Sequence, residues 1–321
     1  MLSVQSFFYD FIIFGFLIVD GLAVVYLLGH GHSKRINKNR RRAAIFLCTL
    51  AWITIFYGSF LEPARIVVTE ESIKLSKRPS ETLRVAVLGD LHVGPYKQTN
   101  FIKRLVKKTQ QLKPDLILLA GDYIYDNAEA VRFLQPLKDL SAPYGVFAVL
   151  GNHDYNRGVS LLQQEATERG KAVRASLEAL GIRVLVNDGE LLQVDERTTV
   201  GLIGTDELWT HRASISDAVK TLNVNEIPHP LILLSHNPDI VYFADGALID
   251  LVIAAHTHGG QIRLPLIGPV PQLPTNLGRF FDQGLFQFEN TQLYITSGTG
   301  EEGPRARLFN PPEVVLLTLE I

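Results

Sequence analysis

The chain has 321 residues, a formal net charge of −2, 46% hydrophobic residues and one cysteine. That length suits one globular domain with an appendage. The near-neutral charge leaves no electrostatic footprint for nucleic acid, so no such partner is expected, and the lone Cys48 excludes a disulfide framework or a thiolate metal site.

The apolar excess is concentrated at the front. Phe7 to Leu28 and Ala43 to Leu61 are stretches of 22 and 19 residues, near the roughly 20 that a helix needs to cross a bilayer. Asp10 and Asp20 interrupt the first. An Asp near the middle of a span costs roughly 2.5–3.5 kcal/mol, which the many Leu, Ile, Phe and Val residues offset. Asp20 reads either as a helix–helix contact or as a functional polar group facing a cavity. Residues 1–6 carry no basic region and the apolar run exceeds that of a secretory signal, so both segments are expected to stay in the protein.

Between the two segments, Gly29 to Arg42 holds Lys34, Arg35, Lys38, Arg40, Arg41 and Arg42. Cations this close to a span favour the cytoplasmic side, which puts the rest of the chain on the non-cytoplasmic face. Arg65, Lys74, Lys77, Arg78 and Arg84 weigh the other way. The expectation is an integral protein of the plasma (inner) membrane with the lipid bilayer as partner. Residues 1–64 form the anchor and residues 65–321 a separate domain. His30 and His32 in the basic loop read as solvated.

Beyond the anchor, apolar runs predict strands at 84–89, 115–120 and 145–150, with helices near 98–112 and 127–140 between them, a layered α/β core. A polar helix follows from about Val159 to Leu180, with Leu161, Leu162, Ala166, Val173, Leu177 and Leu180 at helical spacing and Gly181 as its stop. Shorter strands follow near 182–186, 190–194 and 199–204, the last two as a hairpin. They begin a second sheet, which Leu231–Leu234, Asp250–Ala254, Gln292–Thr296 and Val314–Leu319 complete. Pro265 to Gly278 reads as a long surface loop.

Polar residues recur directly after the apolar runs. Asp90, Asp122 and Asn152 follow Val85–Leu88, Leu116–Ala120 and Val146–Leu150, at the spacing of roughly 30 residues that one strand–helix–strand unit takes. They therefore fall at the same end of three successive parallel strands, where open α/β sheets build ligand sites. With His92, His236, His256 and His258 they make a set of oxygen and nitrogen donors for two divalent metals. Each residue also has a plainer reading: Asp90 or Asp122 could cap a helix, Asn152 could be a turn residue, and any single histidine could be a satisfied core group. Recurrence at strand ends is what favours the joint reading. His211 and His229 lie outside every such block and read as structural. Arg263, Arg305 and Arg307 are candidates either for phosphate contacts or for internal salt bridges.

Asp90-Leu91-His92, Gly121-Asp122, Gly151-Asn152-His153-Asp154, His236 and Ala255-His256-Thr257-His258 together resemble the D-x-H, GD, GNH[DE], H and GHxH blocks of the calcineurin-like metallophosphoesterases. One departure is Ala255 in place of the usual glycine. The ending Arg307-Leu308-Phe309-Asn310-Pro311-Pro312-Glu313, together with His256-Thr257-His258-Gly259-Gly260-Gln261-Ile262-Arg263, resembles the membrane-associated branch that includes transmembrane metallophosphoesterases and a UDP-2,3-diacylglucosamine hydrolase. The resemblance implies a four-layer α/β/β/α sandwich. It implies Asp90, His92 and His258 on one metal, Asn152, His236 and His256 on the other, and Asp122 bridging them. Oxygen and imidazole donors suit Mn, Fe or Zn.

A hydroxide held between the metals would then attack the phosphorus of a phosphate ester or anhydride. His153 would be the catalytic residue, stabilising charge or protonating the leaving oxygen. Asp154 would orient His153 or else bond its own turn. The substrate would be a phosphorylated small molecule or a lipid-linked phosphate. A diphosphatase for UDP-2,3-diacylglucosamine, in lipid A synthesis, is an alternative, but that nucleotide lipid is cytoplasmic and conflicts with the expected orientation. A non-catalytic scaffold is another, although no ligand is visibly lost. The loops Asn156–Gly158, Thr205–Ser214 and Pro265–Gly278 would set specificity.

Overall fold

The computed structural model describes residues 4–29, 37–77, 79–155, 163–244 and 248–321. His30, His32, Arg78, the loop Asn156–Gly158, and Val159, Leu161 and Leu162 lie outside the described residues.

Two apolar helices open the chain, α1 (Val4–Gly29) and α2 (Lys38–Phe56). Both are long and apolar enough to cross a membrane. Asn37 caps α2, its side chain accepting the Asn39 N–H at 2.9 Å. The helix carries on through a π turn, Tyr57–Leu61, and a 3₁₀ turn, Glu62–Ala64. Trp52 Nε1 donates to the Leu17 carbonyl at 3.0 Å and ties the pair together. Phe7, Phe11, Ile18, Val19, Leu22, Phe46 and Leu47 stay exposed, an uncovered apolar surface of the kind that meets lipid or a partner. Asp20 is buried beside Cys48 of α2, at the contact between the two helices.

Two six-stranded sheets follow. In the first, β1 (Val67–Lys74), β2 (Thr82–Leu88), β3 (Leu116–Ala120), β4 (Val146–Val149), β5 (Arg183–Val184) and β14 (Glu313–Glu320) run in the order β1-β14-β2-β3-β4-β5. The second comprises β6 (Asp188–Gln193), β7 (Thr199–Gly204), β8 (Leu231–Leu234), β9 (Leu251–Ala254), β12 (Gly284–Phe288) and β13 (Thr291–Ile295), in the order β12-β13-β9-β8-β7-β6. A small pair, β10 (Arg263–Leu264) and β11 (Gly268–Pro269), stands apart.

The central strands β3, β4, β8 and β9 are apolar throughout because both faces are covered. Ala86, Leu88, Ile117 and Leu119 pack against α3 (Thr99–Gln111), α5 (Gln163–Glu178) and a 3₁₀ segment, Ala128–Asp139. Their neighbours Val85, Val87, Leu116 and Leu118 point the other way, into a core shared with Leu202, Ile232, Leu234 and Ile253 of the second sheet. Ile203, Leu231, Leu233 and Val252 face outward to α6 (Ile215–Thr221) and the 3₁₀ turn Pro238–Phe243. The result is the four-layer α/β/β/α sandwich, each fully buried Val, Leu or Ile contributing about 1.5–3 kcal/mol.

Several expectations need correction. The strands expected near 182–186 and at 314–319 belong to the first sheet. Arg183–Val184 pairs with β4, and Glu313–Glu320 lies between β1 and β2, parallel to the one and antiparallel to the other. Val184 packs among the helices of the outer layer, and a short or continuously apolar strand suits either sheet until long-range pairing selects one. Strands β1, β10, β11 and β12 were not foreseen, and β11 lies inside the expected loop Pro265–Gly278. The helix near 127–140 is 3₁₀, with Pro136 inside it, a residue that removes an α-helical hydrogen bond. The polar helix is described from Gln163, buries Ala166, Val173 and Leu177, and stops before Gly181 at φ +81°.

Candidate metal centre

The ligand candidates meet where the carboxyl ends of the two sheets come together. The first sheet brings Asp90 and His92 after β2, Asp122 after β3, and Asn152 and His153 in the four-residue helix α4 (Asn152–Tyr155) after β4. The second sheet brings His236 after β8 and His256 and His258 after β9. All eight are buried, none more than 4% exposed.

Sharp turns aim these side chains inward. Asp90, His92, Asp122, His256 and His258 all have left-handed backbones, with φ between +43° and +73°, a cost the surrounding structure must over-determine. Gly121 sits at φ +86°, and a Cβ there would come within 2.8 Å of His236 Nδ1. Ala255 has no left-handed φ, so the loss of the usual glycine costs nothing in backbone freedom. Gly89 makes room for its methyl, since a Cβ on Gly89 would lie 2.7 Å from the Ala255 Cβ.

Two nitrogen-rich groups flank Asp122. On one side His92 Nε2 and His258 Nε2 lie 3.2 Å apart, and Asp90 Oδ1 is 3.9 Å from His258 Nε2. On the other, His236 Nε2 lies 3.0 Å from Asn152 Oδ1 and 3.1 Å from His256 Nδ1. Asp122 Oδ2 sits between them, 3.5 Å from His92 Nε2 and 3.3 Å from His236 Nε2. The donor set fits a cation. His236 Nδ1 donates to the Ala120 carbonyl at 2.8 Å, so in the neutral ring Nε2 is a bare lone pair facing two oxygens and another imidazole nitrogen. The neutral ring offers these three groups no N–H and the imidazolium offers only one, whereas a metal ion accepts donation from all of them. The triads Asp90–His92–His258 and Asp122–His236–His256 each bring one ligand atom per residue within 4.8 Å of the others.

The charges strain against each other. Burial works against ionised Asp122, but His236 and His153 hold its carboxyl well below the usual range. Burial likewise opposes charge on His236, yet Asp122 and Asp90 push it up to about 10. Burial and then His236 press His256 down to about 3, and burial followed by His153 lowers His92. Such opposed neighbours mark a functional site.

His153 is held differently. Its backbone N–H donates to Asp122 Oδ1 at 2.8 Å. Nδ1 faces the Tyr125 carbonyl at 2.8 Å, and Nε2 faces the Glu302 carboxylate at 3.5 Å. Both partners only accept, so the imidazolium is favoured. Burial alone would lower the His153 pKa, but Asp122 and Glu302 outweigh it and raise it. The same ring lies within ligand reach of His92 and Asp122. Asp154 does not orient it. The Asp154 carboxylate accepts the backbone N–H groups of Gly151, Asp122 and Tyr123 at 2.9–3.0 Å, stitching two ligand loops together.

A search of sequence families matches residues 83–260 to the calcineurin-like phosphoesterase model. The chain belongs to the calcineurin-like phosphoesterases. It is 29% identical over 271 residues to the uncharacterized metallophosphoesterase YkuE of Bacillus subtilis, covering 82% of this chain and 89% of that one. It is 31% identical over 265 residues to phosphodiesterase YaeI of Escherichia coli, covering 82% and 92%. It is also 26% identical to a zebrafish (Danio rerio) transmembrane protein with a metallophosphoesterase domain, covering 97% of this chain and 70% of that one. A divalent metal centre is thus supported by family and by geometry alike.

The remaining candidates fall outside the phosphoesterase centre. His229 pairs with Asp250 at 2.9 Å, and His211 is exposed. Arg263 is bonded to Asp282 and to the Gly259 carbonyl. Arg305 pairs with Asp10 at 3.8 Å and covers the Phe60 ring. Arg307 is fully buried and donates to the carbonyls of Ser297, Gly300 and Asn310. Sequence reasoning missed Glu302 and Trp209. Trp209 is 40% exposed in the 205–214 loop, its ring edge-on to His256 with centroids 4.4 Å apart. Neither residue follows a strand, and only the loop of Trp209 was legible.

Proposed function

We propose that the protein is a membrane-anchored phosphoesterase using two divalent metals, with Asp90, His92 and His258 on one, Asn152, His236 and His256 on the other, and Asp122 shared. The observation that carries the reading is the place of Asp122 Oδ2, within 3.5 Å of an imidazole nitrogen on either side. When bound, such a metal pair supplies Lewis acidity toward phosphoryl oxygens and acidifies water toward neutral pH.

The chain's own groups do the rest. The His153 cation offers a proton at Nε2 to the leaving oxygen, and Glu302 keeps that proton in place until the substrate takes it. Trp209 forms an apolar wall beside His256. The two apolar helices support a substrate at the bilayer surface, either lipid-linked or a small phosphorylated molecule. Lys38, Arg40, Arg41 and Arg42 at the start of α2 support a catalytic domain on the non-cytoplasmic face.

The test is hydrolysis of bis(p-nitrophenyl) phosphate by the purified full chain, with added Mn²⁺ and after chelation. Turnover that survives complete removal of metal would refute the mechanism. Protease access in right-side-out against inside-out membrane vesicles tests the orientation.

A further inference from the structure

The segment Arg307 to Glu313 reaches the candidate site through the backbone. Asn310 Nδ2 donates to the backbone carbonyl of His258 at 2.7 Å. The Asn310 backbone N–H in turn donates to Glu62 Oε1 at 2.5 Å, and Glu62 sits in the turn where α2 ends. Both residues are 2% exposed.

Further bonds complete a brace around this link. Arg307 N–H donates to the Gly58 carbonyl at 2.8 Å, while its guanidinium clasps the carbonyls of Ser297, Gly300 and Asn310. Gly300 N–H reaches the Asp90 carbonyl at 2.5 Å. Glu313 accepts from Ser297 N–H at 2.7 Å and closes the loop.

The backbone that the brace holds is strained. His258 and Gln261, with φ of +53° and +51°, are non-glycine residues in left-handed conformations on either side of Gly259 and Gly260, at φ +56° and +74°, where glycine sits freely. Such non-glycine conformations persist only where the surroundings over-determine them, and the Asn310 amide fixes the His258 carbonyl. That carbonyl belongs to the residue whose Nε2 faces His92.

We propose that Glu62 and Asn310 are positioning residues for the Asp90–His92–His258 half of the metal centre, so that the end of the second apolar helix is a working part of the site. The inference rests on the two-metal reading. Groups that orient metal ligands typically govern affinity by about ten- to a hundredfold. Loss of the Glu62 acceptor therefore weakens one metal by that factor and leaves the Asn152–His236–His256 half unchanged.

The test uses the full chain in detergent micelles, with Mn²⁺ as the probe and free Mn²⁺ followed by electron paramagnetic resonance. In wild type, two ions bind. Glu62→Ala weakens one of them, whereas Glu62→Gln, which still accepts from Asn310 N–H, binds as wild type does. Should Glu62→Ala fail to accumulate, Asn310→Ala carries the same test, because it removes the donor to His258 and keeps the backbone link to Glu62. Wild-type affinity at both sites in Glu62→Ala or Asn310→Ala would overturn the assignment. So would equal weakening of both sites, or a Glu62→Gln variant as damaged as Glu62→Ala, since either marks general loosening of the fold. A wild-type chain that takes up no Mn²⁺ would overturn the metal centre itself and this inference with it.

Discussion

The two sheets contribute unlike chemistry to one seam. The first supplies every candidate oxygen donor, Asp90, Asp122 and Asn152, together with His92 and the proton-bearing His153. The second supplies imidazoles alone, His236, His256 and His258. Neither sheet can complete either half of the site, because each half draws on both. Assembly of the centre is therefore a consequence of packing one sheet on the other through Val85, Val87, Leu202, Ile232 and their neighbours. The first sheet also sets charge, since its carboxylates push His236 up to about 10.

This division of labour can be broken at graded cost. The largest effect is expected from Asp122→Ala, which removes an oxygen within 3.5 Å of an imidazole nitrogen in each half. Metal analysis should find both ions weakened beyond the roughly hundredfold that loss of an orienting group costs, with turnover lost. His236→Ala, a second-sheet change, should by contrast release one ion and spare the other. His153→Ala comes next. Turnover should fall about 10²- to 10⁴-fold, the usual worth of a proton donor, with metal content intact, and metal loss in this variant would make His153 a ligand.

Glu302→Gln should act more gently and through pH. The carboxylate helps to raise the His153 pKa, so the acid form persists to higher pH when Glu302 is charged and is lost as pH rises through that value. Removing the charge lowers the pKa, and the alkaline limb of the rate profile should move to lower pH while the acid limb stays. An unmoved alkaline limb would separate Glu302 from catalysis. The smallest effect is expected from Ile253→Val in the core between the sheets. Stability should drop by about 0.5–1.5 kcal/mol in chemical denaturation, with metal uptake unchanged.

How much of this was legible depended on distance along the chain. The seven ligand candidates and His153 could be picked out because each follows an apolar run or sits in a short block with its own histidines or glycines. The helices of the first half were visible in the same way, from local periodicity. Glu302 and Glu62 were not, because their partners lie far away in sequence: Glu302 meets His153, and Glu62 meets Asn310. The same holds for β14, whose continuous run of Val and Leu suits either sheet and whose place between β1 and β2 is set by pairing across most of the chain. Arg307 was legible only as a choice between a phosphate contact and an internal salt bridge. Only burial among backbone carbonyls reveals its structural use.

The most direct measurement is anomalous diffraction at the manganese edge from crystals of the full chain grown with Mn²⁺. Two peaks about 3.5–4 Å apart, one on either side of Asp122, are the expected result. A single peak, or peaks that leave Asp122 on the outside of the pair, would contradict the shared-carboxylate centre.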